Sequence, residues 1–195
     1  MHAFEEVVAA AVEIQAFCEK LKWQFCFIGG IAVQRWGSPR YTQDVDLTLL
    51  TGIGNEAAFV SAVLKSFPGR RQDASRFALL HRVLLVQSSA GIDVDMSLGA
   101  LPFEERSIAR ATSWEIASDQ SITTCSAEDL IVYKIVAGRD RDWSDVESVL
   151  ARQHGKLNLS QALAELQPLL ELKEDPESLE KFQQLVTRVE RRLPS

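Results

Sequence analysis

The stretch that decides the fold extends from Phe25 to Leu50 and reads FCFIGGIAVQRWGSPRYTQDVDLTLL. Its first four residues, FCFI, are apolar and predict a short buried strand, and Gly29 and Gly30 predict the tight turn that follows. Residues 31–36 then predict a brief helix. The segment DVDLTLL, residues 44–50, alternates β-forming residues with carboxylates and predicts a second strand. The order is therefore strand, glycine turn, helix, strand.

Two carboxylates lie close together on the second of these strands. The strand period of two places Asp44 and Asp46 on one face and the apolar residues between and after them on the other. Such same-face Cα atoms are roughly 6 to 7 Å apart, so the anions repel unless solvent or a cation screens them. Mg²⁺ fits, because it takes one or two protein carboxylates together with water and substrate phosphate. Taken alone, a D-x-D pattern is more often a solvated strand face.

The acidic pattern recurs at Asp93 and Asp95. These residues lie on the second strand of a hairpin predicted over residues 82–87 and 92–98. Three carboxylates from neighbouring strands can hold two metal ions that clamp the attacking and leaving oxygens of an in-line displacement. Strand period does not choose between Asp93 and Asp95 as the third carboxylate, because both side chains point the same way.

Gly29, Gly30 and Arg40 are candidates for phosphate binding. A turn without Cβ atoms, followed at once by a helix, offers free N–H groups and the positive end of the helix dipole to an anion. Arg40 lies between Gly30 and Asp44 in the sequence. It either binds phosphate bidentately or pairs with Asp44 or an acidic helix end.

Lys134 is the only charged residue in the apolar segment LIVYKIVAG, residues 130–138. The segment predicts a helix that starts at Ser126 and stops at Gly138. A buried unpaired ammonium is costly. The side chain therefore either extends to the surface or reaches a phosphate or an acidic partner. Asp142 belongs to the charged residues that follow.

The composition of the chain limits the class of protein to which it can belong. The chain has 195 residues, a net charge of 21 − 27 = −6, and 46% hydrophobic residues, which is typical of a soluble globular protein and excludes disorder and fibres. No apolar run of membrane-spanning length and no leader pattern is seen, so we expect a cytoplasmic protein without membrane contact. Three cysteines at unrelated spacings, without a histidine cluster, argue against a disulfide framework or a zinc site.

The acidic total argues against a surface that grips nucleic acid everywhere. A local basic segment at residues 70–82 is compatible with RNA or with a solvated loop and strand edge. Further helices are predicted over residues 4–21 and 55–67, from about Trp143, and twice in the last forty residues. We expect an α/β (α+β) fold, a small mixed sheet flanked by helices, with a catalytic core at 1–125 and a helical region at 126–195 packed on it.

Three segments resemble one known superfamily. IGGIAVQRWGSPRYTQDVDLTLL, residues 28–50, resembles the active-site signature of the nucleotidyltransferases with a DNA polymerase β-like fold, and VDMSL, residues 94–98, resembles their third-carboxylate strand. EDLIVYKIVAGRDRDWSDVE, residues 128–147, is similar to a helical segment of the abortive-infection type nucleotidyltransferase toxins. The match covers roughly residues 25–150, with the three segments in the expected order.

The resemblance implies a role for each candidate residue. It makes Gly29 and Gly30 the nucleotide-phosphate turn, with backbone N–H groups alone binding phosphate because Gly30 replaces the serine of many members. Metal binding would fall to three carboxylates: Asp44, Asp46 and Asp95. Asp95 would also be the general base. Lys134 would contact the triphosphate, and Asp142 would occupy the acidic position of the following helix.

The implied reaction is transfer of NMP from an NTP to a hydroxyl acceptor with Mg²⁺ or Mn²⁺. RNA, including a tRNA end, a protein and a small molecule are all compatible acceptors. A toxin role in a toxin–antitoxin pair, with an antitoxin as partner, is compatible as well. The alternative is a catalytically silent nucleotide-binding or protein-interaction module on the same fold. The crowded carboxylates favour the enzyme, because such charge is costly without a metal.

Overall fold

The computed structural model describes residues 4–117 and 120–193. The chain forms two compact units, one of Met1–Ile31 and Tyr41–Cys125 and the other of Ala32–Arg40 and Ser126–Ser195. Residues 32–40 lie before the domain boundary expected at residue 125, yet they belong to the second unit. In the described residues the architecture is a six-stranded mixed sheet with nine helices. The predicted α/β fold with a small mixed sheet is confirmed.

The strands and helices have the following bounds in chain order. The strands are β1 (Phe25–Phe27), β2 (Asp44–Leu50), β3 (Val83–Gln87), β4 (Asp93–Gly99), β5 (Thr112–Ala117) and β6 (Gln120–Thr124). The helices are α1 (Phe4–Lys20), α2 (Gly29–Trp36), α3 (Glu56–Leu64), α4 (Ala74–His81), α5 (Pro102–Arg110), α6 (Ala127–Ala137), α7 (Asp140–Arg152), α8 (Leu159–Lys173) and α9 (Pro176–Arg192).

The sheet of the first unit has the strand order β3-β4-β2-β1-β6-β5. Strands β2 and β4 pair in parallel, as do β1 and β6, and the other neighbours are antiparallel. The predicted hairpin is confirmed as β3 and β4. Because β2 and β4 come from distant parts of the sequence, their pairing brings the two acidic patterns together.

The apolar face of the sheet forms the core of the first unit. Val45, Leu47, Val94 and Met96 are wholly buried, and they belong to one cluster with Ile14 of α1. Burying a side chain of this size stabilises the fold by about 1.5 to 3 kcal/mol relative to exposure. This burial fixes the strand register, because a slip of one residue would exchange the apolar and acidic faces.

Several local structures differ from the sequence prediction. Helix α2 begins at Gly29 itself, where a turn is predicted. Helix α4 occupies part of the basic segment that is interpreted as loop or strand edge, since its buried positions are only Ala74 and Ala78 and give a weak periodic signal. Helix α5 and the antiparallel pair of β5 and β6 are not predicted. In β5 the alternating residues are mostly exposed, so they give no apolar pattern.

The second unit contains the helices α6 to α9. Ser126 accepts a hydrogen bond from the Asp129 N–H at 3.1 Å, and Gly138 ends α6 with a φ of +71°. Both predicted ends of this helix are therefore confirmed. Phe182 and Val189 lie on the buried face of α9. Among residues 4–117 and 120–193, no helix is both long enough and apolar enough to cross a bilayer.

Candidate active site

Four aspartates of β2 and β4 form a two-by-two array. Asp44 is the register partner of Asp93, and Asp46 is the register partner of Asp95. Paired residues of neighbouring strands lie about 4.8 Å apart and point to the same face. The four carboxylates therefore share the face opposite the apolar core. None of the four is fully buried, so solvent and ligands have access to this acidic array.

Asp46 lies against the start of α2. The Gly30 N–H donates to its Oδ2 at 3.4 Å, and the Ile28 N–H donates to its backbone carbonyl at 3.0 Å. Gly29 has a φ of +61°, and a Cβ atom there would lie 1.9 Å from Asp46 Oδ2. Both the left-handed backbone and the close approach require glycine at position 29. In this structure the predicted phosphate-binding turn thus cradles a carboxylate that is itself a candidate ligand.

Asp44 is the exposed member of the β2 pair. The buried Thr42 hydroxyl donates to its Oδ1 at 3.1 Å. One carboxylate oxygen is thereby oriented by the preceding loop.

Asp95 and Asp93 are bound by a residue that the sequence interpretation misses. Arg70 Nη1 donates to Asp93 Oδ2 at 2.6 Å, and its Nη2 donates to Asp95 Oδ1. The Gln87 side-chain amide donates to the other oxygen of Asp93 at 3.1 Å. The basic composition of residues 70–82 is visible in the sequence, but no spacing connects Arg70 with the carboxylates of β4.

The pKa of Asp95 is raised above its ordinary value. Partial burial is the main cause, and the neighbouring Asp44 and Asp93 carboxylates raise the pKa further, while Arg70 lowers it. The pKa is raised although Arg70 is bound to this carboxylate, because burial outweighs the effect of the guanidinium. A cation bound here would favour the charged form of Asp95.

The donors at the array are of the type that Mg²⁺ or Mn²⁺ prefers. All are carboxylate oxygens, and Mg²⁺ needs only one or two of them from the protein. Among residues 4–117 and 120–193, no group of three or more His, Cys, Asp or Glu side chains is already arranged to hold a metal ion. Metal binding by Asp44, Asp46 and Asp95 therefore stays a prediction, and Asp95 is bound to Arg70 in this structure.

The other predicted site residues belong to a charged network in the second unit. Lys134 Nζ lies 2.9 Å from Asp142 Oδ1 and 2.8 Å from Asp145 Oδ2, and all three side chains are at most 6% exposed. Arg40 donates through Nε and Nη2 to the two Asp145 oxygens at 2.6 and 2.8 Å. Arg139 Nε donates to Asp142 at 2.7 Å. The buried acidic partner, one of the two alternatives for Lys134, is the one observed.

This network changes the acidity of its carboxylates. Burial alone would raise the pKa of Asp142, but hydrogen bonds from Arg139 and Lys134 hold it below its ordinary value. At Asp145, burial likewise raises the pKa, but hydrogen bonds from Arg40 and Lys134 lower it more, so the pKa of Asp145 is also below its ordinary value. Both carboxylates are therefore held in the charged form. Arg40 pairs with Asp145, a partner that the sequence interpretation does not name.

Paired arginines also neutralise much of the basic segment. Arg71 pairs with Asp73, and Arg82 pairs with Glu56. Since Arg70 is bound at the acidic array, three arginines of the basic segment face carboxylates. The segment is therefore a weaker indication of RNA binding than its composition suggests. Cys18, Cys26 and Cys125 are buried free thiols. Burial raises the pKa of the Cys18 thiol to about 12, so it is unsuited to metal binding as a thiolate.

Comparisons with known proteins agree with this fold. The chain is similar to an antigenic nucleotidyltransferase-like protein from Paracoccidioides brasiliensis, with 18% identity, a TM-score of 0.54, and coverage of 92% of this chain and 93% of that one. It is also similar to the antibiotic-resistance factor ANT(2'')-Ia, with 16% identity, a TM-score of 0.52, and coverage of 91% and 96%. A search of curated protein sequences gives no match.

A family model provides the more specific result. The model described as "Nucleotidyl transferase AbiEii toxin, Type IV TA system" matches residues 15–190, a range that covers most of both units and every candidate residue above. The resemblance expected from the three sequence segments is therefore confirmed, and it supports nucleotidyl transfer and a toxin role. The chain belongs to the AbiEii nucleotidyltransferase toxin family.

Proposed function

We propose that this protein is a metal-dependent nucleotidyltransferase that moves NMP from an NTP to a hydroxyl acceptor. The observation that supports it most strongly is the register pairing of Asp46 with Asp95, beside Asp44, on one solvent-accessible face. The family supports nucleotidyl transfer. The acidic array adds the chemical reason, because carboxylates this close need a compensating cation.

Asp44 and Asp46 would hold Mg²⁺ or Mn²⁺. The bound ion would neutralise charge on the phosphates of the NTP. The Thr42 hydroxyl orients Asp44, and the Gly30 N–H orients Asp46. These contacts hold the two ligands in place before the nucleotide binds, which lowers the entropic cost of assembling the site. The glycine backbone at the start of α2 would contribute N–H groups to a phosphate.

Asp95 would accept the proton of the acceptor hydroxyl as that oxygen attacks the α-phosphorus and pyrophosphate leaves. A carboxylate with a raised pKa is a better general base than an ordinary aspartate, and the pKa of Asp95 is raised by burial and by its acidic neighbours. For this role the Asp95 oxygen must be released from Arg70 or must share it.

Arg40, Lys134 and Asp142 complete the proposal as nucleotide-binding residues. Lys134 carries the positive charge that would contact the triphosphate, and for this contact its ammonium must move from the buried position between Asp142 and Asp145. Arg40 shares Asp145 with Lys134. Loss of any one of these groups would therefore shift the others, so their variants should lose nucleotide affinity together.

RNA, protein and small molecules remain candidate acceptors, and an antitoxin is the expected partner of a toxin of this family. The second candidate function is a catalytically silent nucleotide-binding or protein-interaction module. One observation favours it, namely that Arg70 occupies Asp95. A silent module would bind NTP without transferring NMP, and its NTP binding would survive replacement of Asp95.

The decisive test is transfer of label from each α-labelled NTP in the presence of Mg²⁺, with cellular RNA, cellular protein and small hydroxyl compounds as separate acceptors. Wild type should label one acceptor class, and Asp46→Asn should lose about a thousandfold or more of the rate, as expected when a group that stabilises the transition state is removed. Asp73→Asn is the matched control, because Asp73 pairs only locally with Arg71. Equal labelling by wild type and Asp46→Asn would reject the metal role.

A further inference from the structure

Arg70 bridges the two carboxylates of β4. Each terminal nitrogen of its guanidinium donates to a different aspartate, Nη1 to Asp93 and Nη2 to Asp95. Asp95 is in turn the register partner of Asp46. The guanidinium therefore lies at one side of the acidic array, on the carboxylate that would complete a three-carboxylate metal site.

The backbone around Arg70 is fixed at the edge of the sheet. The Arg70 N–H donates to the Leu85 carbonyl at 3.0 Å, and the Gln87 N–H donates to the Pro68 carbonyl at 3.0 Å. Gly69 forms a bridge with Val86 of β3. Leu85 is the register partner of Asp95, so the Arg70 side chain extends across β3 to reach β4. Its position is thus set by the sheet and not by a free loop.

The same contact has a cost. Nε of Arg70 is buried, and among the described residues it has no hydrogen-bond partner. A buried donor without a partner is unfavourable, and the side chain is otherwise only 22% exposed. In this position the two terminal nitrogens of the guanidinium have hydrogen-bond partners, the two carboxylates, whereas Nε has none among the described residues. Such an arrangement can be displaced by a stronger ligand of the carboxylates.

A guanidinium and a divalent cation compete for the same oxygens. The guanidinium is planar, permanently charged and able to donate to two carboxylates at once, whereas Mg²⁺ and Mn²⁺ need the oxygen lone pairs directly. A positive charge at Arg70 also repels a cation that approaches Asp95. Asp44 and Asp46 lie on β2, one strand further from Arg70 than the two aspartates of β4.

We infer that Arg70 is a positioning residue that takes the place of a second divalent cation. This inference rests on the proposed metal site. Wild type then holds one ion at Asp44 and Asp46, and Arg70 orients Asp95 and excludes a second ion from it. Removal of the guanidinium opens Asp95 to a second ion, in which case the number of bound ions changes from one to two.

The test is a Mn²⁺ titration followed by electron paramagnetic resonance, which counts bound ions without any requirement for catalysis. Arg70→Met keeps an unbranched stem and removes the charge, and Arg70→Lys keeps the charge without the fork. Arg71→Met is the matched control, because Arg71 pairs with Asp73 and stacks on Phe77. We expect one Mn²⁺ for wild type and for Arg71→Met. For Arg70→Met we expect two bound Mn²⁺ ions, the second with an affinity at least about tenfold above any second-site affinity of wild type. For Arg70→Lys we expect a second-site affinity between those of wild type and Arg70→Met.

Equal stoichiometry and affinity in wild type and Arg70→Met would overturn the inference. If Arg70→Met does not give a folded circular dichroism spectrum, Arg70→Lys alone decides, and an unchanged second affinity in that variant has the same meaning. NMP transfer, measured in parallel, separates this inference from the proposed function. If Arg70→Met binds a second ion but wild type transfers no NMP, the proposed function is rejected and the role of Arg70 is supported. If wild type transfers NMP but Arg70→Met binds no second ion, the proposed function is supported and the role of Arg70 is rejected. No Mn²⁺ bound by any variant would overturn both.

Discussion

Asp46 and Asp95 stand opposite each other on two parallel neighbouring strands, although nearly fifty positions separate them in the sequence. Gly29 and Gly30 lie against the first carboxylate, and Arg70 binds the second. The pair therefore has a backbone contact on one side and a guanidinium on the other. This asymmetry underlies the different roles proposed for the two residues, ligand for Asp46 and base for Asp95.

Gly29→Ala should disturb the site more than an ordinary glycine substitution. An alanine in left-handed backbone costs about 1 to 2 kcal/mol, and here its Cβ would also overlap Asp46 Oδ2. We expect this overlap to lower the free energy of unfolding by a further ~2 kcal/mol and to weaken Mn²⁺ binding. Gly91→Ala is the control, because Gly91 has a φ of +76° and nothing within 4 Å of a Cβ. Urea unfolding and Mn²⁺ titration measure both effects, and equal losses in the two variants would contradict the close approach.

Lys134→Met should destabilise the chain strongly. The substitution leaves Asp142 and Asp145 buried with one cation fewer, and breaking a buried ion pair costs about 3 kcal/mol or more. Arg40 and Arg139 still contact the carboxylates, so the lower end of that range applies. Lys173→Met should leave the free energy of unfolding nearly unchanged, because Lys173 is 41% exposed and pairs at the surface with Asp175. Similar midpoints of chemical unfolding for the two variants would refute a structural role of the buried network.

The same network predicts a dependence of stability on pH. The pKa values of Asp142 and Asp145 are lowered in the folded state, whereas in the unfolded chain an aspartate titrates near about 3.9. Their stabilisation is therefore complete above about pH 5 and is lost as the pH falls through the folded-state pKa values below about 4. Thermal unfolding of wild type and Asp145→Asn should show a large difference at pH 6 that shrinks between about pH 4 and pH 2. A difference that stays constant over this range would argue against the shift at Asp145.

Much of the sheet and its acidic face can be predicted from the sequence. Alternation in DVDLTLL and DVDMSL gives both strands and their acidic faces, because period-two patterning and β propensity act locally. Ser126 and Gly138 likewise mark the two ends of α6, since capping depends on neighbouring residues only. The choice between Asp93 and Asp95 is not local. The parallel register of β2 and β4 pairs Asp93 with Asp44 and Asp95 with Asp46, so strand pairing alone does not choose between them either.

The contacts of the arginines and of Lys134 are not predicted. Arg70 reaches Asp95 across β3, and Arg40 reaches Asp145 from more than a hundred positions away. Long side chains make such contacts through tertiary structure, and no periodicity in the sequence encodes them. A lysine in an apolar helix indicates that some partner is needed, but not which one. Asp145 is visible as a charged residue of α7, and only the fold reveals that it joins Arg40 and Lys134.

The central claim is that Asp44 and Asp46 bind a divalent cation for nucleotidyl transfer. Anomalous scattering from crystals grown with Mn²⁺ and a non-hydrolysable NTP tests it most directly. We predict a peak within about 2.0 to 2.3 Å of an oxygen from each carboxylate, close to the Mg²⁺–oxygen distance, and also in contact with a phosphate oxygen. A nucleotide bound without an ion at these residues, or Mn²⁺ bound only elsewhere on the chain, would contradict it.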